Sequence, residues 1–247
     1  MAASISDIRL LLKVTSLPKS SNSRRVFIAG GTGYIGSHLI PILIERGHRV
    51  RALVRPGSKA SLPSECEVVT GNALEASSYR KLIRPCDTFL QLVGVPHPSP
   101  AQNEQFRSID LVSAREAIET CAELGMQHFI YLSVAHPAPI MKAYIAVRTE
   151  SEELIRARRL NATILRPWYV LGPGHRWPCV LLPLYKLCEW LPSTRAAARR
   201  LGLVTLDQLL VALISAVESP AQGTRIVEVP DIRSASIDLS SDVRVTA

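Results

Sequence analysis

The stretch that most limits what this chain can fold into is RRVFIAGGTGYIGSHLIPILIERG, residues 24–47. It reads as a buried strand that runs into a glycine turn and then directly into a helix stopped by Gly47. Gly30, Gly33 and Gly36 recur at G-x-x-G-x-x-G spacing. Glycines serve such a turn in three ways. The strand must bend sharply, the backbone must approach a phosphate without a Cβ between them, and the helix must pack close to the sheet. The helix start also offers unpaired N–H groups and a positive dipole end to an anion. Pro41 lies inside this helix, which predicts a kink and a freed carbonyl at Ser37.

The same alternation continues downstream. HRVRALV, CEVVTG, DTFLQLVG, HFIYLS, ATILRP and RIVEVP read as strands, and residues 75–84, 108–125, 141–159 and 205–218 read as helices. Strands alternating with helices predict βαβ units, so the expected fold is α/β, a doubly wound (Rossmann) parallel sheet with helices on both faces. The organisation expected is a flexible extension over 1–24, one domain over 25–230 with a small C-terminal cap at about 175–203, and a polar tail over 231–247.

Charge and cysteines narrow the class. Half of the net +8 comes from residues 1–25, where Arg9, Lys13, Lys19, Arg24 and Arg25 face Asp7 alone. The balance over the rest is too small and dispersed for nucleic acid, and there is no basic stripe interleaved with aromatics. Cys66, Cys86, Cys121, Cys179 and Cys188 form no CxxC or Cys/His ligand spacing. Reduced thiols, no metal and a cytoplasmic location are the expectation. The extension reads as a mobile segment or, secondarily, a weak targeting segment.

A strand–glycine–helix unit inside a βαβ pattern predicts a dinucleotide site built from Gly30, Thr32, Gly33, Tyr34, Ile35 and Gly36. Where an acidic residue would hold the ribose of NAD, the second strand ends in Arg55, with Lys59 just beyond. Arginine pairs with a 2′-phosphate, so the expected cofactor is NADP, with NAD left open.

These motifs, together with TGNALEASSY, QLVG, HFIYLSV and LRPWYVLGPG, resemble the atypical branch of the short-chain dehydrogenase/reductase superfamily, its NmrA-like and epimerase-like NAD(P)-binding proteins. The resemblance covers residues 25 to about 230. It implies that Asn72, standing where relatives usually carry aspartate, bonds the adenine edge. It implies that Gly94 lets the fourth strand approach the cofactor and that Pro167, in the sixth-strand motif, lines the site. It also implies a catalytic set of Ser133, which ends the fifth strand, and Tyr144 eleven residues on, with Arg148 in the place of the usual lysine.

Tyr144 and Arg148, four residues apart on a helix, share a face. Arginine retains the charge that lowers a tyrosine pKa and the donors that grip ribose hydroxyls. It cannot relay a proton, because guanidinium does not lose one at any relevant pH. A replacement donor is then needed. His136 stands first for that role, being nearest to Ser133, ahead of Lys142, His97, His175 and Arg176.

Residues 175–203 are a small cap, which argues against a sugar nucleotide and for a compact apolar or carbonyl compound. Trp168, Tyr169, Trp177, Leu181, Leu182 and Trp190 are its candidate lining. Tryptophan and arginine flanking WPCVLLPLYKLCEWL also fit contact with a membrane surface or a quinone, a lesser reading than a helix packed over the sheet. The reading that follows is an NADP-dependent oxidoreductase acting on a small molecule. The alternatives are a non-catalytic redox sensor or accessory subunit, and an epimerase or isomerase with retained NADP.

Overall fold

A computed structural model describes residues 19–58, 61–173 and 200–235. The strands are β1 (Arg25–Ala29), β2 (Arg49–Val54), β3 (Glu67–Thr70), β4 (Thr88–Gln91), β5 (His128–Leu132), β6 (Ala162–Leu165), β7 (Tyr169–Leu171), β8 (Leu203–Thr205) and β9 (Thr224–Val227). The main helices among the described residues are α1 (Tyr34–Glu45), α2 (Arg80–Ile83), α3 (Val112–Leu124), α4 (Lys142–Ala157), α5 (Leu206–Glu218) and α6 (Val229–Ser234).

Seven strands form one sheet in the order β3-β2-β1-β4-β5-β6-β9, every neighbour parallel. The order reverses between β1 and β4, and in open sheets of this kind ligands bind outside the carboxyl ends of the strands at that reversal. The doubly wound parallel fold expected from the alternation is the fold observed.

Period-two alternation assigns each strand residue to a face. Val26 and Ile28 of β1 join Leu39, Ile40 and Leu43 of α1 and Leu209 and Leu213 of α5. Phe27 and Ala29 face the other way, with Ala114, Ile118 and Cys121 of α3. On that second face the register aligns Phe27 with Phe89 and Phe89 with Phe129, and their rings lie 5.2 and 5.7 Å apart. Helices on both faces thus hold the sheet rigid beneath its carboxyl rim.

Several local expectations change. The helix expected over 75–84 is a 3-10 turn, Ala76–Ser78, followed by the single turn of α2. Ser78 Oγ donates to the carbonyls of Asn72 and Glu75, which competes with helical bonding. Chain order does not end at 230: α6 extends to Ser234, its start held by reciprocal bonds between Glu228 and Asp231, with Ile232 fully buried. At the other end Ser20 and Ser23 bond to the carbonyls of Arg46 and Gly47, so the last residues of the expected extension are tied to the end of α1. The helix α1 runs through Pro41. β7 and β8 form a small parallel pair of their own, absent from the sequence expectation. Among the described residues no helix is long and apolar enough to cross a membrane.

Candidate active site

The glycine turn sits at the reversal point. Gly30 has φ +85°, and a Cβ there would lie 2.7 Å from the Leu92 carbonyl carbon at the end of β4. A Cβ on Gly36 would lie 2.6 Å from both the Gly30 oxygen and Gly31 Cα. Both glycines are therefore demanded by close backbone approach. Gly33 caps α1 without a side-chain bond to the first-turn amides, and Thr32 and Gly33 are exposed. This cradle fits a bound pyrophosphate. Tyr34 and Ile35 are half-buried and pack on the α1 core, Tyr34 edge-on to His38 at 5.2 Å.

Around the rim, Arg55 is exposed just past β2, and its carbonyl accepts from Ser58 N–H in a turn. Asn72 follows β3, but its Oδ1 already accepts from Leu74 N–H at 3.1 Å. Pro167 is buried, and its carbonyl accepts from Ala135 N–H, joining the segments after β5 and β6. Lys59, His175, Arg176, Trp177, Leu181, Leu182 and Trp190 lie outside the described residues, as does most of the expected cap. Trp168 and Tyr169 stack edge-on at 5.5 Å.

Tyr144, Arg148 and Glu152 occupy successive turns of α4 and share a face. The Arg148 guanidinium lies between two rings, its carbon 5.0 Å from the centre of Tyr144 and 5.6 Å from that of Tyr131. Nη1 donates to the Leu132 carbonyl at 2.9 Å and to the Tyr131 hydroxyl at 3.3 Å, and Nη2 pairs with Asp110 Oδ1. Asp110 Oδ2 accepts from Val95 N–H at 3.0 Å. A π-helical turn, Phe106–Leu111, carries Asp110 into this position ahead of α3, and Phe106 from the same turn packs on Tyr144 at 5.0 Å.

Gly94 borders this ion pair. A Cβ there would come within 2.6 Å of Arg148 Nη2 and 3.1 Å of Asp110 Oδ1. The missing Cβ of Gly94 thus leaves room for the Arg148 guanidinium and its partner Asp110.

Burial pushes the Tyr144 hydroxyl above its ordinary pKa; Arg148 opposes the shift and Asp110 adds to it. Burial likewise pushes Asp110 up, against Arg148 and the Val95 N–H.

Ser133 is buried, and its hydroxyl donates to Glu152 Oε1 at 2.7 Å. Holding a substrate oxygen would require this hydroxyl to turn away from Glu152. Glu152 is fully buried and bound by Arg166 on both oxygens and by Arg156 at 3.1 Å, while Arg166 also donates to Glu228 at 2.7 Å. Burial pushes the Glu152 carboxyl up, yet the bonds from Arg166 and Ser133 outweigh it and hold it below the usual glutamate range. His136 is drawn to the same group, its Nε2 3.5 Å from Glu152 Oε1. Lys142 opens α4 and is exposed, as is His97, which follows β4 with φ +50°.

The structure thus brings Tyr144 and Arg148 together, and Ser133 and His136 together on Glu152. Asp110, Glu152, Arg166 and Glu228 escaped the sequence reading. Asp110 had one visible signal: it is a charged residue on the apolar stripe continued by Ala114, Ala117 and Cys121. Among the described residues no group of His, Cys, Asp and Glu has the arrangement to hold a metal ion.

Residues 30–175 match the NAD(P)H-binding family. The chain belongs to that family. Among similar sequences, this NAD(P)H-binding protein is 28% identical over 210 residues to a ceramide reductase of Caulobacter vibrioides, covering 84% of this chain and 65% of the relative. It is 27% identical over 229 residues to a 3-diazoavenalumate denitrifying reductase of Streptomyces, covering 81% and 74%. The chain therefore spans just under two thirds of the first relative's length. Among solved structures, a short-chain dehydrogenase/reductase superfamily protein of Agrobacterium tumefaciens with bound NAD superposes with a TM-score of 0.61 at 15% identity, covering 82% of this chain and 76% of that one. The likeness to that structure is one of fold: the same doubly wound parallel sheet carries both chains.

Proposed function

We propose that the chain is an NADP-dependent reductase of a small, apolar carbonyl compound, with Tyr144 as the proton donor. The observation that carries this reading is Tyr144 on α4, packed on Arg148, which donates to the Leu132 carbonyl at the carboxyl end of β5. When bound, the nicotinamide supplies the hydride. Tyr144 gives its hydroxyl proton to the oxygen of the same carbonyl group, so carbon gains the hydride and oxygen the proton. Arg148 cannot return that proton, so reprotonation of Tyr144 falls to water or to the partly exposed His136. Val95, Phe106, Ile109, Met141 and Ala143 surround Tyr144 with apolar surface, which suits an apolar substrate, and the likeness to a ceramide reductase favours the same class.

Arg55 supports NADP over NAD by charge. That residues of about 175–203 serve as the substrate cap of a single domain belongs to the same proposal. One observation favours a binding-only role as the second reading: the Ser133 hydroxyl is engaged by Glu152.

The test is NADPH and NADH binding by fluorescence, followed by NADPH oxidation against a panel of apolar ketones and aldehydes. Tyr144→Phe is expected to lower turnover about a hundredfold, within the usual range for losing a general acid, with NADPH affinity unchanged. Binding without turnover on any member of the panel favours the second reading. Equal turnover by Tyr144→Phe removes Tyr144 from the chemistry.

A further inference from the structure

We infer that Asp110 is a positioning residue for Tyr144: by taking up the charge of Arg148 it keeps Tyr144 a neutral phenol, the form that donates a proton in reduction. The chemical sense of this inference rests on the reductase reading; its physical content does not.

The geometry carries it. The Asp110 side chain has no exposure and that of Arg148 only 5%, so water screens neither charge effectively. Both carboxylate oxygens of Asp110 accept hydrogen bonds, Oδ1 from Arg148 Nη2 and Oδ2 from Val95 N–H, the pattern of an ionised carboxylate. Both Nη atoms of the guanidinium are committed to internal partners: Nη2 to Asp110, and Nη1 to the Leu132 carbonyl and the Tyr131 hydroxyl. A lone cation against a tyrosine ring would favour phenolate. A cation with a buried carboxylate on its far side presents Tyr144 with a nearly neutral pair.

The groups facing Tyr144 among the described residues are few. Its own helix supplies Arg148, the π-helical turn supplies Asp110 and the Phe106 ring, β5 supplies Tyr131, and the segment after β4 supplies only apolar Val95. Burial and Asp110 raise the Tyr144 pKa together, in line with the geometry.

The arrangement also explains two local features. The π-helical turn, a form that recurs at functional sites, delivers Asp110 to the guanidinium, and Gly94 leaves room for the pair. Arg148 then acts as a mount for Tyr144 and contributes little grip on a ribose.

The experiment is a phenolate absorbance titration of the cofactor-free protein, with Tyr144→Phe subtracted to isolate one hydroxyl. In the natural protein Tyr144 is expected to ionise above the ordinary tyrosine value of about 10. Asp110→Asn, which keeps the shape and removes the charge, is expected to lower that midpoint by about one pH unit or more. Asp110→Glu, which keeps the charge, is expected to retain the high midpoint; a purely structural role would not separate the two variants. If Asp110→Asn does not fold, Asp110→Ser, which also removes the charge, is titrated in its place with the same expected drop. Ionisation of Tyr144 below the ordinary value in the natural protein overturns the inference. So does an unmoved midpoint in folded Asp110→Asn, or an equal drop in Asp110→Glu. The titration needs neither cofactor nor substrate, so it stands apart from failure of the reductase reading, which would show as absent turnover.

Discussion

The Ser133 hydroxyl donates to Glu152 Oε1 across 2.7 Å, tying the end of β5 to the middle of α4. Glu152 in turn is held by Arg166, just past β6, and Arg166 by Glu228, just past β9. One buried carboxylate thus fastens three neighbouring strand ends to the helix that bears Tyr144. Ser133→Ala removes one neutral-to-charged hydrogen bond and is expected to cost about 1–3 kcal/mol. Glu152→Gln leaves the Arg166 charge poorly compensated and is expected to cost about 3–5 kcal/mol. Because the folded Glu152 pKa lies below its unfolded value, its contribution is complete above the ordinary glutamate pKa. It is lost as pH falls through the depressed folded value. Urea unfolding of both variants at neutral and acid pH checks the order; equal costs for the two would contradict it.

Gly36→Ala tests the cradle alone. The new Cβ would meet Gly30 O, Gly31 Cα and Gly31 O, all at 2.6 Å and all backbone, so no side chain can yield. The turn must move, and on the proposed reading it moves into the space for a pyrophosphate. NADPH affinity is expected to fall at least about tenfold, or 1.4 kcal/mol, while circular dichroism remains that of the natural protein. Unchanged affinity by fluorescence titration would separate the glycine turn from cofactor binding.

What was legible in the sequence was what neighbours along the chain determine. The glycine turn and the apolar strands are local patterns, and the sheet follows from their alternation with helices. Asp110, Glu152, Arg166 and Glu228 come from four different elements, and in sequence each resembles a solvated charge. Their pairing depends on how α4 lies across β5 and β6, which no local pattern records. Gly94 shows the intermediate case. The need for a missing Cβ was visible, but a guanidinium 54 residues away fills the space. α6 was read as tail because Pro230 resembles a strand end; here the proline begins a helix, a position its fixed φ suits.

On the proposed reading, Arg55 selects between the two nicotinamide dinucleotides. It is exposed at the end of β2, with no acidic side chain in its place to accept from a ribose. Arg55→Asp exchanges a partner for the 2′-phosphate for a repelling charge. A charge-assisted bond contributes about 1.5–3 kcal/mol, so NADPH affinity is expected to fall roughly ten- to a hundredfold and NADH affinity to hold or rise. Paired titrations of the natural protein and the variant check this. Tighter binding of NADH than NADPH by the natural protein would overturn the preference at once.

At the opposite end of β5, His128 gives the protein a pH dependence of its own. The side chain is fully buried, and its Nε2 lies 3.0 Å from Thr163 Oγ1 on β6. Burial, helped by the nearby charges of Arg225 and Arg24, pushes its pKa down to about 4 from an ordinary 6.5. The folded protein therefore holds a neutral imidazole, whereas the unfolded chain takes up a proton below pH 6.5. The contribution to stability is whole above that value, erodes as pH falls from 6.5 to about 4, and is flat below. At 1.36 kcal/mol per unit, the loss across this window is about 3 kcal/mol as an upper bound. His128→Gln cannot titrate and keeps an amide that can reach Thr163. Its urea midpoint is expected to start lower at pH 7.5 and to decline less steeply toward pH 4.5 than that of the natural protein. Parallel slopes for the two would show that His128 is not the group responsible.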